Sequence, residues 1–590
     1  GSEMCIRDSI NEQANFIWSI ADLLRGDFKQ SEYGKVILPF TVLRRFDCVL
    51  APSKAKILEA NKTLTVSNKR PIFKRMTGHD YYNVSQFDFE KLMDDSNAIE
   101  ANLRDYINGF SEDVREIMDN FEIFGVIDRL SRANLLYLVV QRFAEIDMSD
   151  TQIDNLEMGY MFEELIRRFS EQSNETAGEH FTPREVIELM VEVLLDPDMD
   201  EIANTDGKVI TILDPACGTG GMLSVAQNKM ESLNSTTQVI PFGQELNPET
   251  YATCRSDMIL KGNTNSRIVL GNSFNEDGFK SQTFDYMLSN PPFGVEWKKV
   301  EKFIKDEAAS QGYRGRFGAG LPRISDGSFL FLQHLISKMN PPEKGGSRIG
   351  IVFNGSPMFS GDAGSGESEI RRWIIENDLL EAIIGLPDQL FYNTGITTYI
   401  WILTNRKENR RKGKVRLING AGFYEKMRKG LGNKRNMISP ENRAELVRLY
   451  STYEPDENYM DLDNEDFGYR KIVIERPLLD EDGTPVIDRK GNRKADASLR
   501  DYEMVPLKED IHEYFRREVL PFVPDAWIDE SKTKIGYEIP FTRYFYKFTP
   551  LRDSSVIMED IRALEERIQA SLAEAVSYTH LRAHETVLDL

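Results

Sequence analysis

From Phe16 to about residue 150 the apolar positions recur at spacings of three and four, as in Ile17, Ile20, Ala21 and Leu24. That period predicts an α-helical domain. A second helical piece over 158–169 leads through the polar stretch SEQSNETAGEH into FTPREVIELMVEVLL. There Thr182 suits a helix cap and Pro183 the first turn, while Val186, Leu189, Met190 and Val193 form one apolar face. After Gly207 the pattern changes. Short β-rich runs (VITILD, QVIPFGQE, RIVLGNS, FDYMLSN, RIGIVFN, EAIIGLP, YIWILT) alternate with helical stretches such as PETYATCRSDMIL and GSFLFLQHLISKM. Such alternation predicts an α/β fold with a parallel or mostly parallel sheet covered on both faces. Beyond residue 405 the chain is charged and irregular, with the hairpin-like RKIVIERPLLDEDGTPVIDRKGN and the aromatic run FTRYFYKF. It closes in a helix with apolar positions Ile557, Ile561, Leu564, Ile568 and Leu572, a spacing that suits a partner-facing stripe or, more commonly, a core face.

Length adds a domain count. A chain of 590 residues exceeds what one core organises. The pattern divides it into a helical domain over 10–150, an α/β domain over 151–405 and a C-terminal extension over 406–576. The termini 1–9 and 577–590 match no neighbouring periodicity, resemble translated sequencing-adapter sequence and are set apart as foreign tails. No apolar run reaches bilayer length, and the start lacks the basic and apolar regions of a secretory signal, so a cytoplasmic, membrane-free protein is expected. Cys5, Cys48, Cys217 and Cys254 have neither disulfide-framework nor zinc spacing, so no metal is expected. The net charge of −22 is the opposite of what a self-sufficient nucleic-acid binder carries. One stretch over 406–435 runs against it, with twelve cations facing only Glu408 and Glu425. It suits phosphate contact or a solvated loop equally.

Candidate chemistry collects where predicted strands end, the edge at which open α/β sheets bind ligands. LDPACGTGG follows the first strand: Gly218, Gly220 and Gly221 let the backbone turn sharply beside a small molecule, and Asp214 can hold a cationic amine. The loop lacks GK[ST] and does not fit G-x-G-x-x-G, which disfavours ATP and NAD. Glu245 ends the next strand, where a carboxylate can accept from both ribose hydroxyls, and Asn272 after the third can meet an adenine amino group. The fourth run ends in SNPPFG. The Asn290 oxygen and the Pro291 carbonyl can accept hydrogen bonds from one amino group and aim its lone pair at an electrophile, with Phe293 stacking on the ring.

In this order Asp214 to Gly221, Glu245 and Asn290 to Phe293 resemble the motifs of amino-group DNA methyltransferases of the adenine type, and Phe181, Thr182 and Pro183 resemble the further cofactor segment that precedes the glycine loop. FIWSIADLLRGDFKQSEYGKVILPFTVLRRFDCVL resembles the N-terminal domain of Type I restriction-modification methyltransferase subunits, and EAIIGLPDQLFYNTGITTYIWIL their late catalytic strands. The resemblance implies a Rossmann-like S-adenosylmethionine-dependent domain acting on N6 of an adenine flipped from double-stranded DNA. It also implies a separate specificity subunit flanked by two subunits of this kind, with room for a nuclease subunit. The C-terminal helix, with Ile561, Leu564 and Ile568, is expected to join that contact. By this reading Asn290, Pro291, Pro292 and Phe293 are catalytic, and Glu179, His180, Phe181, Thr182, Pro183, Asp214, Ala216, Gly218, Thr219, Gly220, Gly221, Glu245 and Asn272 bind the cofactor. Many relatives carry Asp where Asn272 stands. Cys217 takes no catalytic part, because amine methylation needs no covalent intermediate. Asp326, in SDGSF, suits the pocket border or a helix cap equally. The rivals are methylation of ribosomal RNA bases or protein glutamine, N4-cytosine methylation, where Ser usually replaces the residue at 290, and a catalytically silent scaffold subunit.

Overall fold

The computed structural model describes residues 15–172, 182–263, 265–392, 394–431, 433–488, 491–546 and 553–588. Contacts divide the chain into two units, Gly1–Pro540 and Phe541–Leu590. The start of the first unit is helical, as the apolar spacing predicts. Its longest helix, Tyr33–Thr63, buries Val36, Ile37, Phe40, Leu43 and Phe46 among the helices Ile99–Asn108, Ile123–Arg132, Leu136–Ala144 and Asn155–Gln172. Each such aliphatic or aromatic side chain contributes about 1.5–3 kcal/mol on leaving water. The same core takes in Ala252 and Leu260 of the helix Pro248–Leu260, so the helical layer and the sheet domain share packing.

The sheet has nine strands. In chain order they are β1 (Val209–Asp214), β2 (Gln238–Glu245), β3 (Arg267–Leu270), β4 (Tyr286–Ser289), β5 (Arg348–Asn354), β6 (Leu380–Gly385), β7 (Thr398–Thr404) and β8 (Lys414–Asn419), followed, after a separate hairpin of β9 (Glu425–Leu431) and β10 (Lys434–Met437), by β11 (Tyr459–Asp463). Across the sheet the order is β11-β8-β6-β7-β5-β4-β1-β2-β3. β7 and β11 run antiparallel to their neighbours, and all other pairings are parallel. The carboxyl ends of β1, β2, β3, β4, β5, β6 and β8 therefore share one edge, whereas the chain leaving β7 emerges at the opposite edge. A smaller sheet follows from β12 (Gly468–Glu475), β13 (Asp501–Pro506), β14 (Trp527–Ile528) and β15 (Lys534–Tyr537).

Three sequence expectations change. The helix Arg184–Leu195 begins one residue later than expected: Pro183 is its cap, with no side-chain capping bond, and Thr182 lies outside it. Asp326 is not the cap of the helix Ser328–Ser337, a position held by Gly327; from one residue earlier it accepts from the backbone N–H and hydroxyl of Ser328 and so steadies the helix start. In the second unit the helix Ser554–Leu588 leaves Ile557, Ile561, Leu564, Ile568 and Leu572 exposed at 43–59%, so the stripe is not a core face.

Candidate active site

The chemistry-bearing strand ends converge on one cavity of about 730 Å³, a size suited to a nucleoside-containing ligand. Asp214, Ala216, Gly218, Thr219, Gly221, Glu245, Asn272, Asn290, Pro292 and Thr182 line it. The turn after β1 is held by backbone bonds from Cys217 N–H to the Gln244 carbonyl (3.0 Å) and from Gly220 N–H to the Cys217 carbonyl (2.8 Å). Gly220 then opens the helix Gly221–Leu233 at φ 86°, a left-handed conformation that disfavours other residues. A Cβ there would come within 2.8 Å of Cys254 Sγ and 3.0 Å of Met258 Cε. Gly220→Ala is accordingly expected to weaken S-adenosylmethionine binding at least tenfold and to lower Tm; calorimetric affinity equal to that of the parent would show that this loop does not shape the site.

Asp214 is buried, and its Oδ1 accepts from Ala216 N–H (3.0 Å) and from the Ser289 hydroxyl (2.9 Å). Burial pushes the carboxyl up to about 7 against the pull of those two bonds, and the nearby Glu245 charge adds to the rise. Glu245 accepts from Gly218 N–H (2.9 Å) through Oε2 and from Asn247 N–H (2.8 Å) through Oε1, which fixes its plane at the end of β2. A carboxylate oxygen has capacity for a second bond, so this pose is compatible with a ribose diol. Asn272 lines the cavity, but its Oδ1 also accepts from Phe274 N–H (2.9 Å) in a local turn, which restricts how it can meet a ligand.

Asn290 follows β4, and its Nδ2 donates to the Thr182 hydroxyl at 2.8 Å. That bond is what Thr182 contributes in place of a helix cap. An amide whose nitrogen donates there presents Oδ1 as the acceptor for an incoming amino group. Pro291 is buried, and Pro292 lines the cavity. Phe293 is half-buried and stands edge-on to Phe391, with ring centroids 6.3 Å apart, rather than in the cavity lining. Glu179, His180 and Phe181 lie outside the described residues.

Several residues that motif reading missed complete the site. Ser289 orients Asp214 and carries no motif of its own. Arg316 donates to the carbonyls of Ser273 (2.9 Å) and Phe274 (2.5 Å) while paired with Glu307 at 2.6 Å, bracing the wall next to Asn272 from a segment beyond SNPPFG. Trp297, Phe274 and Phe331 add apolar wall. At the far end, Lys261 bonds to Asp257 (2.6 Å) and Ser224 (3.1 Å), and burial pushes the Glu163 carboxyl up. The bonds Ser289 to Asp214, Arg316 to Ser273 and Lys261 to Ser224 join residues 75, 43 and 37 apart in sequence, and only the fold brings them together.

A glycine turn, a carboxylate and a side-chain amide at adjacent strand ends share one cavity, and the chain is an S-adenosylmethionine-dependent methyltransferase. The chain belongs to the N-6 DNA methylase family, which matches residues 153–468, and an HsdM N-terminal domain matches residues 13–143. The Type I restriction enzyme MjaIX methylase subunit of Methanocaldococcus jannaschii is 26% identical over 477 residues, 78% of this chain and 80% of that protein. The Type I restriction enzyme HindI methylase subunit of Haemophilus influenzae is 30% identical over 264 residues, 44% of this chain and 53% of that protein. Among solved structures, a type I restriction-modification system methyltransferase subunit from Streptococcus thermophilus has a similar fold, with a TM-score of 0.62 at 22% identity, over 77% of this chain and 96% of that one. Among the described residues no helix is long and apolar enough to cross a membrane.

Proposed function

We propose that this chain is the modification subunit of a Type I restriction-modification complex, methylating N6 of adenine in double-stranded DNA at a sequence chosen by a separate specificity subunit. The observation that carries the reading is the Asn290 amide, held by Thr182 on the cavity that Asp214 and Glu245 also line. S-adenosylmethionine, when bound, supplies an electrophilic methyl group on a sulfonium sulfur. Glu245 is suited to hold its ribose, Asp214 its positive charge and the backbone of Gly218 its close approach. Asn290 Oδ1 and the Pro291 carbonyl accept from the two hydrogens of N6, which orients the nitrogen lone pair toward the methyl group. Restricting that amine to one approach removes part of the entropic cost of reaching the transition state. The edge-on packing of Phe293 against Phe391 leaves its contact with the flipped base to a change of rotamer or to an edge contact.

Asn290 favours adenine over N4-cytosine. The match to an HsdM N-terminal domain weighs against RNA or protein glutamine as substrate, and the assembled site weighs against a silent scaffold. We take residues 10–150, 151–405 and 406–576 as helical, catalytic and C-terminal domains, and the cytoplasm as the working compartment. The exposed stripe Ile557, Ile561, Leu564 and Ile568 repeats at four, three and four, the seam of a coiled coil, and fits the specificity subunit. The test is methylation of a random-sequence duplex pool with labelled cofactor. The isolated chain is expected to methylate weakly and without preference, and the chain with a specificity subunit at adenine in one motif. Ile561→Asp with Leu564→Asp should lower complex formation at least tenfold while leaving cofactor affinity unchanged. Methylation of cytosine, or strong single-motif methylation by the isolated chain, would overturn the reading.

A further inference from the structure

The cations of residues 406–435 do not form one surface. Those before β8 follow β7, whose direction carries them to the edge opposite the cavity. There they are largely committed: Arg406 to Asp198 (2.7 Å), Lys407 to Asp378 (2.6 Å) and Arg410 to Glu408 (2.6 Å), while Arg411 is buried with its guanidinium on the Tyr450 carbonyl. Within β8 itself Arg416 is buried and paired with Asp461 at 2.7 Å. β8 runs parallel to β6, so the chain that leaves it returns to the edge where β4 delivers Asn290.

At that edge stands the β9–β10 hairpin. Residues 423–437 carry Lys426, Arg428, Lys429, Lys434 and Arg435 against the single acid Glu425. The turn and second strand of the hairpin are bound to the loop after β6: Arg435 N–H and Asn436 N–H donate to the Gln389 carbonyl (2.9 and 3.2 Å), Asn433 N–H donates to the Tyr392 carbonyl (2.8 Å), and Asn436 Nδ2 donates to Asp388 (3.1 Å). Lys434 is buried, donates to the Leu390 carbonyl (2.9 Å) and pairs with Glu185 on the helix that follows Thr182 and Pro183. Phe391 of the same loop meets Phe293. The hairpin is thus fixed to the two segments that flank the catalytic tetrapeptide. Its outer cations Lys426, Arg428 and Arg435 are exposed and, among the described residues, form no ion pair. Gly430 has no side chain where the Arg435 guanidinium crosses to the facing strand, and a Cβ there would collide with it.

We infer that the β9–β10 hairpin is a phosphate clamp that grips the backbone of duplex DNA beside the target adenine, with Lys426, Arg428 and Arg435 as the contacting groups. The inference rests on the proposed DNA substrate. Three exposed cations on a ribbon whose turn and second strand are anchored offer separate contacts of the kind a polyanion takes. In a chain of net charge −22 they stand at the sheet edge that also carries Asn290. Such contacts position the duplex and carry no sequence information.

The experiment compares three full-length chains, each assembled with a specificity subunit, binding a fluorescent duplex over about 0.05–0.2 M KCl. They are the parent, the hairpin variant Lys426→Gln/Arg428→Gln/Arg435→Gln, and the far-edge control Arg410→Gln/Lys412→Gln/Lys414→Gln of equal charge change. The hairpin variant is expected to weaken binding more than tenfold for specific and non-specific duplexes alike and to lower the slope of log K against log salt by about 2 to 3. Its calorimetric affinity for S-adenosylmethionine should stay at the parent value, and the control should keep the parent slope. An unchanged slope in the hairpin variant, or an equal fall in the control, overturns the clamp. A parent complex that neither binds nor methylates duplex DNA overturns the methyltransferase reading and the clamp with it.

Discussion

Asn290→Ala is expected to lower kcat for adenine methylation by about a hundred- to a thousandfold, the effect of removing one preorganised hydrogen-bonding group from a reacting centre. S-adenosylmethionine affinity should stay within a few-fold of the parent, because the proposed cofactor groups Asp214 and Glu245 stand at the ends of β1 and β2 while Asn290 follows β4. Thr182 supplies a graded control. Thr182→Val removes the acceptor that holds the Asn290 amide at 2.8 Å but leaves its oxygen in place. A smaller loss of kcat, about tenfold, is expected from the amide's freedom to rotate, again with little change in cofactor affinity. Single-turnover kinetics with saturating cofactor separates the two. Full methylation by the Ala variant would remove Asn290 from catalysis, and a Val variant slower than the Ala variant would show that Thr182 acts by another route.

S-adenosylmethionine binding should also strengthen with pH and level off above about 7. The Asp214 carboxyl stands near 7 in the folded protein, against about 4 in an unfolded chain, because burial penalises its charged form. A cationic ligand favours the carboxylate, so at about pH 6, where most of the protein holds the proton, affinity should be roughly tenfold weaker than at pH 8. The same shift acts on stability in the opposite direction. A raised folded value means that the stability contributed by the protonated acid is present in full below about pH 4 and is lost as pH rises through about 7. Asp214→Asn should therefore flatten the pH dependence of binding and weaken it more than tenfold at pH 8, yet raise the Tm of the cofactor-free protein there. Calorimetry at pH 6, 7 and 8 with thermal melts checks both signs. A parent affinity independent of pH would remove Asp214 from the charge-holding role.

Where local pattern and tertiary environment agree, the elements were legible in the sequence. PETYATCRSDMIL coincides with the helix Pro248–Leu260 because Asn247 caps it and Pro248 suits its first turn. The seven β-rich runs each match a strand of the sheet to within two residues at its start. β8 was hidden because Lys414 and Arg416 break the apolar pattern of a strand that is nevertheless buried. Arg416 is tolerated there by Asp461 on β11 and by the carbonyls of Leu449 and Tyr450, partners more than thirty residues away. The site divides in the same way. Strand-end motifs placed Asp214, Glu245 and Asn290 on one cavity, because the ends of parallel strands meet at one edge. Thr182 was legible as a residue and misassigned in role, since cap preference is a local rule and its partner lies 108 residues on.

The Arg316 brace bears on how such proteins can be recombined. The segment between β4 and β5 would look like an exchangeable insert for altering the approach of DNA, since it begins with the tetrapeptide Asn290–Phe293 and returns to the sheet. Yet its Arg316 supports the carbonyls of Ser273 and Phe274, and its Phe317, Leu330 and Phe331 pack on Phe274. A chimera that imports this segment from a relative without the matching turn after β3 would arrive with a mismatched wall against the cofactor. The workable crossover points for engineering lie before β3 and after β5, so the two loops travel as one inheritance unit.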